Sequence, residues 1–155
     1  MVSERAATTT PFEAMDFLER ANELDDIVHL EVGEPDYPTP PVAVEAAIDS
    51  LRAGNSGYTA ARGKPELREA ITAYYDSRYG VSIDPDRILV TPGSSPGLLL
   101  VFLALLDPGD RAVLTDPHYA CYPNFVRQAG GEISSVPLTP ERGFQPAIDA
   151  IDETL

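Results

Sequence analysis

Basic charge is what this sequence has least of. Its 155 residues carry 11 Lys plus Arg against 25 Asp plus Glu, a formal net charge of −14, and Lys64 is the only lysine. The sequence-independent grip on nucleic acid and on anionic membrane surfaces needs the opposite sign, so neither is an expected partner. A solvated acidic surface follows, and its self-repulsion predicts a protein kept soluble at high salt, where that repulsion is screened. Cysteine is nearly missing as well. Cys121 alone permits no internal disulfide and no C-x-x-C metal pattern, which points to a reducing compartment and leaves Cys121 the reading of a small core residue. Long apolar runs are absent: Gly97 to Leu106 is about half the length needed to cross a bilayer and reads as a buried core helix. Met1 to Pro11 is polar, with no secretory signal, so this start is expected to be mobile and the cytoplasm is the expected location. Two nucleotide motifs are also lacking. Gly93 and Gly97 do not form a G-x-G-x-x-G fingerprint, and no Lys-Ser or Lys-Thr follows to make a Walker-type loop.

What the sequence does have is a stretch from Arg87 to Asp116 that organises the rest. Arg87 to Thr91 is a short branched apolar run stopped by Pro-Gly-Ser-Ser-Pro-Gly, the pattern of a buried strand ending in a tight turn. Pro96 suits a first helical position, Ser95 before it is a good N-cap, and Gly97 to Leu106 continue as a helix that Asp107, Pro108 and Gly109 end. Ala112, Val113 and Leu114 make the next strand. A βαβ unit with parallel strands is the result. Gly93 allows close backbone approach, and the N–H groups and positive dipole end of the helix attract an anion, most readily a phosphate. A plain strand-to-helix connection with a capping serine is the alternative.

Elsewhere Ala14, Phe17, Leu18 and Ala21 recur at helical spacing, giving an amphipathic helix from Phe12 to Leu24. Ile27 to Val32 reads as a short strand, and Gly33 to Pro40 as a loop. Pro41 opens a helix ending at Gly54; Asn55 to Gly63 is a loop around Tyr58; Leu67 to Arg78 is helical, closed by Tyr79-Gly80. After Asp116 and Pro117, the spacing of Tyr119, Tyr122, Val126 and Ala129 predicts a helix ended by Gly130-Gly131. Glu132 to Val136 fits a third strand. Ile148, Ile151 and Leu155 mark a last helix from Gln145. No linker or repeat divides the chain, and the alternation of strands and helices indicates an α/β architecture with a parallel sheet after a helical N-terminal arm.

Four loops call for one explanation. Gly33 to Pro40, Tyr58-Thr59 with Gly63 and Leu67-Arg68, Val90 to Ser95, and Asp116 to Pro123 together resemble, in this order, the class I/II aminotransferases, pyridoxal-phosphate enzymes of fold type I, and most of all their aspartate aminotransferase branch. The resemblance covers nearly all of the chain from about Phe12 onward. It implies that residues 1–40 form the N-terminal arm and substrate-edge loop, and residues 41–155 the first part of the parallel-sheet large domain that binds the cofactor. Residue by residue, it implies that Gly33 lies where the substrate carboxylate approaches and no Cβ fits. Tyr58 would reach across a homodimer interface to the cofactor phosphate of the other subunit, and Gly93, Ser94 and Ser95 would cup the phosphate. Tyr119 would lie against the pyridine ring, where many relatives carry tryptophan. His118 and His29 are read as structural, since neither has a visible partner, and Asp116 as a turn residue.

The family's covalent lysine, and its downstream groups that hold the pyridine and the substrate carboxylate, match nothing in these 155 residues. Lys64, between Gly63 and Pro65, fits no such position and is expected on the surface. No catalytic residue is therefore expected in the chain, which reads as the N-terminal portion of an aminotransferase that moves an amino group between an amino acid and a 2-oxo acid. The alternatives are a carbon–sulfur lyase of the same fold and a non-catalytic truncated or regulatory chain.

Overall fold

Proline placement and apolar spacing set the helices of this chain. The structure, a computed structural model, describes residues 2–154. Pro41 and Pro65 stand at the first positions of α3 (Pro41–Arg52) and α4 (Pro65–Tyr79), where a missing N–H costs no intrahelical bond. Gly80 and Gly130 close α4 and α6 (Tyr122–Ala129) in the left-handed conformation, as their sequence positions predict. Before these come α1 (Glu4–Ala7) and α2 (Glu13–Ala21); α5 (Ser94–Leu105) and α7 (Ile148–Asp152) complete the helices. Leu155, the end of the expected last stripe, lies outside the described residues.

Strand β1 (Arg111–Asp116) pairs in parallel with β2 (Glu132–Pro137), in register from Arg111 opposite Glu132 to Asp116 opposite Pro137. Their connection is α6, so the β–α–β unit that closes here is β1–α6–β2, one step further along the chain than expected. Ile88 is extended, at φ −103° and ψ 127°, yet residues 88–91 join no ladder among the described residues. Val90 N–H donates to the Arg62 carbonyl at 3.1 Å, a loop contact rather than a strand pairing. Residues 27–32 form no strand either, and Val28 and Leu30 stand out in solvent. Apolar alternation supplies only one side of a strand; the ladder needs a partner.

By its contacts the chain falls into two units, Met1–Glu31 with Pro92–Leu155, and Val32–Thr91. The first contains the sheet. Among the described residues its buried core is Val126, Ala129 and Val136, where one face of α6 lies on β2. The long apolar helix α5 departs from its expected burial: none of its residues is buried, and Leu100, Val101, Leu103 and Leu105 are each about half exposed or more. Helix α6 packs on one face of α5, and much of the remaining surface of α5 stays open.

The expectation of a mobile start is also corrected. Thr10 N–H and Oγ1 both donate to Asn124 Oδ1, at 3.0 and 3.1 Å, and Asn124 Nδ2 donates back to the Thr10 carbonyl at 2.8 Å. Gln128 Nε2 donates to Thr9 Oγ1 at 2.7 Å, and Arg5 Nη1 to the Gln128 carbonyl at 3.3 Å. Residues four apart on α6 thus carry the arm along that helix's polar face.

The second unit is built on α3, α4 and a 3₁₀ turn, Pro85–Arg87. Asp86 joins the pieces. Its Oδ1 accepts from Arg62 Nη2 at 2.6 Å and from Arg68 Nη1 at 3.1 Å, while Arg62 and Arg68 also donate to the carbonyls of Asp86 and Pro85. Arg68, first the larger cause, and then Arg62 hold the Asp86 carboxyl below its usual range.

Candidate functional site

The turn into α5 begins two residues earlier than the serine pattern suggests. Gly93, not Ser95, takes the N-cap position, with φ 89° and ψ 177°, so Ser94 and Ser95 are the first two helical residues and Pro96 the third. Only glycine adopts this left-handed φ without cost, which lets the chain turn in before the serines. Pro96 is still harmless there, because the first-turn N–H groups have no partner inside a helix. The N–H groups of Ser94 and Ser95 thus point out of the helix end beside its positive dipole pole, no acid lies in the first turn, and a Cβ at Gly93 would meet nothing within 4 Å. An anion could approach this end closely, and a phosphate fits its chemistry.

Ser94 is exposed and Ser95 half-buried. What occupies Ser95 is Tyr119, from the loop after β1. The Tyr119 hydroxyl is held above its ordinary pKa of 10.0, chiefly by its hydrogen bonding with the Cys121 side chain, while the Ser95 side chain pulls the other way. Two rings meet Tyr119 edge-on: Tyr122 at 5.3 Å between centroids and Phe12, at the head of α2, at 6.0 Å. Of the residues singled out in this unit, the structure therefore brings Gly93, Ser94, Ser95 and Tyr119 to one helix end. It adds Cys121, which is half-buried at the N-cap of α6 rather than in the core, and Phe12.

The turn that carries Tyr119 is fixed by its neighbours. The Asp116–Pro117 bond is cis, His118 Nδ1 donates to the Thr115 carbonyl at 2.8 Å, and Thr115 Oγ1 donates to the Pro117 carbonyl at 3.1 Å. His118 thus closes a turn, as a structural histidine would. His29 has a partner that its sequence context did not reveal: Nδ1 donates to Glu31 Oε1 at 2.6 Å and, as the largest cause, lowers the Glu31 pKa.

Gly33 and Tyr58 belong to the other unit and are described within it. Nothing in the chain crowds Gly33: an added Cβ would meet no atom within 4 Å, so the need for glycine there is not set by the described residues. Tyr58 is fully exposed and lines a shallow cleft of about 250 Å³ with Gly54, Asn55, Gly57, Thr59 and Lys64. Lys64 is exposed at the N-cap of α4. Among the described residues no cluster of His, Cys, Asp and Glu could hold a metal ion, and no helix is long and apolar enough to cross a membrane.

Residues 25–155 match the family "Aminotransferase class I and II". The chain belongs to the class I and II aminotransferase family. It is 39% identical over 151 residues to the valine–pyruvate aminotransferase of Mycobacterium tuberculosis, covering 95% of this chain and 39% of that one. To the aspartate aminotransferase of Thermotoga maritima it is 36% identical over 159 residues, covering all of this chain and 42% of that protein. The solved aspartate aminotransferase of Thermus thermophilus with maleate superposes at a TM-score of 0.92 with 35% identity, over the whole of this chain and 42% of that one. The α/β class with a parallel sheet is thereby shown. The chain spans about two fifths of the length of these aminotransferases, and corresponds to their N-terminal part.

The arm-binding face of α6 and the Arg62–Asp86–Arg68 cluster escaped the sequence reading. Asn124 and Gln128 at i and i+4 opposite Val126 and Ala129 were a legible sign of a polar docking face. Nothing in Thr8-Thr9-Thr10 announced what would lie on it.

Proposed function

We propose that this chain supplies the cofactor-phosphate and ring-face contacts of a pyridoxal 5′-phosphate-dependent aminotransferase that moves an amino group between an amino acid and a 2-oxo acid. The observation that carries the reading is the open N-terminus of α5, where outward N–H groups, two serines and the Tyr119 ring converge. Family membership supports the cofactor. When bound, pyridoxal phosphate supplies an electron sink for the bonds at the amino-acid α-carbon.

In this reading Gly93, Ser94 and Ser95 hold the phosphate by backbone N–H groups and hydroxyls. Tyr119 presents a ring face, kept in orientation by its edge-type contacts with Tyr122 and Phe12 and by its interactions with Cys121 and Ser95. Tyr58, fully exposed on its loop, reaches the phosphate bound by a second subunit, which makes the enzyme a homodimer. Gly33 leaves room for the substrate carboxylate. Residues 1–40 form the arm and substrate-edge loop and residues 41–155 part of the large domain. No residue of the chain is assigned a catalytic step: Lys64 is exposed and cations are otherwise arginines, which do not give up a proton. A single cysteine and the acidic surface support a reducing, cytoplasmic setting.

Replacing Ser94 and Ser95 by alanine should weaken retention of pyridoxal phosphate by about 1 to 3 kcal/mol, the usual range for charge-assisted hydrogen bonds. Equilibrium dialysis reads the loss. An unchanged affinity would remove the helix end as the phosphate site.

A further inference from the structure

We infer that Asn124 is a positioning residue for this site, acting through the N-terminal arm to fix the ring of Tyr119. Its bearing on cofactor binding rests on the assignment of Tyr119 as the ring-face group. The hydrogen-bond geometry and the ring contacts point the same way. Asn124 makes three hydrogen bonds to one residue, Thr10, using both its amide oxygen and its amide nitrogen. That amount of polar matching over one residue fixes the backbone in place and direction, not merely near the helix. Gln128, one turn later, holds Thr9, so the chain runs along α6 in a set direction before it enters α2.

Two residues past Thr10 comes Phe12, and its ring edge meets Tyr119 at 6.0 Å with the planes inclined by 67°. Phe12 has no other aromatic contact described. Tyr119 is also met by Tyr122, the first residue of the helix that carries Asn124, at 5.3 Å between centroids. A single short helix therefore fixes the Tyr119 ring twice: directly through Tyr122, and through the arm by way of Asn124, Thr10 and Phe12. Removing the second support leaves Tyr122 as the one described aromatic neighbour of the ring, which is then free to tilt. No backbone strain is needed for this. The arm simply loses the bonds that outweigh the entropy of an exposed segment.

The test places 3-fluorotyrosine in the protein without cofactor and follows the Tyr119 fluorine resonance, identified by its loss in Tyr119→Phe. Asn124→Leu should shift and broaden it while the resonances of Tyr74, Tyr75 and Tyr79 on α4 stay in place. Asn124→Asp keeps the oxygen that accepts both Thr10 donors, so it should give a smaller shift. Phe12→Leu leaves every Asn124 bond intact and changes only the ring contact; its shift should match that of Asn124→Leu, which separates positioning from any general loss of fold. With pyridoxal phosphate as probe, both leucine variants should bind about 2- to 10-fold more weakly, the scale of one aromatic contact. A Tyr119 resonance unmoved by Asn124→Leu would overturn the inference. A shifted resonance with unchanged affinity would uphold it and instead remove Tyr119 as the ring-face residue.

Discussion

Two glycines with almost the same backbone make a controlled experiment inside this chain. Gly63 has φ 92° and Gly109 has φ 93°, both in the left-handed region where a side chain is strained. An alanine at either position costs about 1 to 2 kcal/mol of strain, partly offset by about 0.4 to 1 kcal/mol from the stiffer unfolded chain. These two effects are equal at the two sites. What differs is the space. At Gly109 a Cβ meets nothing within 4 Å, whereas at Gly63 it would sit 2.7 Å from both Cβ and Cγ2 of Val90. Cβ is fixed to the backbone, and that backbone is pinned by the Val90 N–H bond to the Arg62 carbonyl, so the clash cannot be relieved by a rotamer change. Forcing that displacement adds about 1 to 3 kcal/mol. Gly63→Ala should therefore be less stable than Gly109→Ala by about 1 to 3 kcal/mol in urea unfolding, and hydrogen exchange at the Val90 amide should quicken only in Gly63→Ala. Val90→Ala in the Gly63→Ala background removes the Cγ2 contact and leaves the Cβ contact, so it should recover part of the loss. Equal destabilisation by the two alanines would refute the steric argument and leave φ as the whole cost.

Three further outcomes follow from the charges and the exposed surface. Because arginines depress the Asp86 carboxyl, its contribution is present above the unfolded value near 3.8 and is lost as pH falls through the folded value; Asp86→Asn should flatten the acid limb of a melting-temperature profile, and an unchanged limb would count against the cluster. With much of α5 exposed, the chain by itself should self-associate through that apolar surface, and sedimentation finding a compact, cooperatively unfolding monomer in low salt would contradict this. Borohydride treatment after incubation with pyridoxal phosphate should leave no stoichiometric label on Lys64, since it stands exposed at the N-cap of α4 rather than enclosed over a cofactor ring; peptide mapping that finds full labelling there would reverse the reading of Lys64.

Sequence alone determined most of the helices and several of their ends, though not α1 in the expected mobile start, because a helix satisfies its hydrogen bonds within a few residues and its punctuation is equally local. Pro41, Pro65, Gly80 and Gly130 each stand where the chain places a helix start or stop. The Gly93–Ser95 turn and the family resemblance were legible for the same reason: a glycine–serine turn into a helix is written in consecutive residues. Even there, the choice of Gly93 over Ser95 as the cap depended on a backbone angle that composition does not state. Tertiary structure decided whatever needs a partner distant in sequence. Residues 27–32 and 88–91 have strand composition but no ladder, while residues 111–116 and 132–137 have both, and nothing within a strand tells its pairing. The same holds for the side chains. Asn124 finds Thr10 across 114 residues, Asp86 collects two arginines from 18 and 24 residues away, and Cys121 turns from a core residue into the partner of a tyrosine hydroxyl. Each of these contacts is a short-range force between groups that only the fold brings within its range.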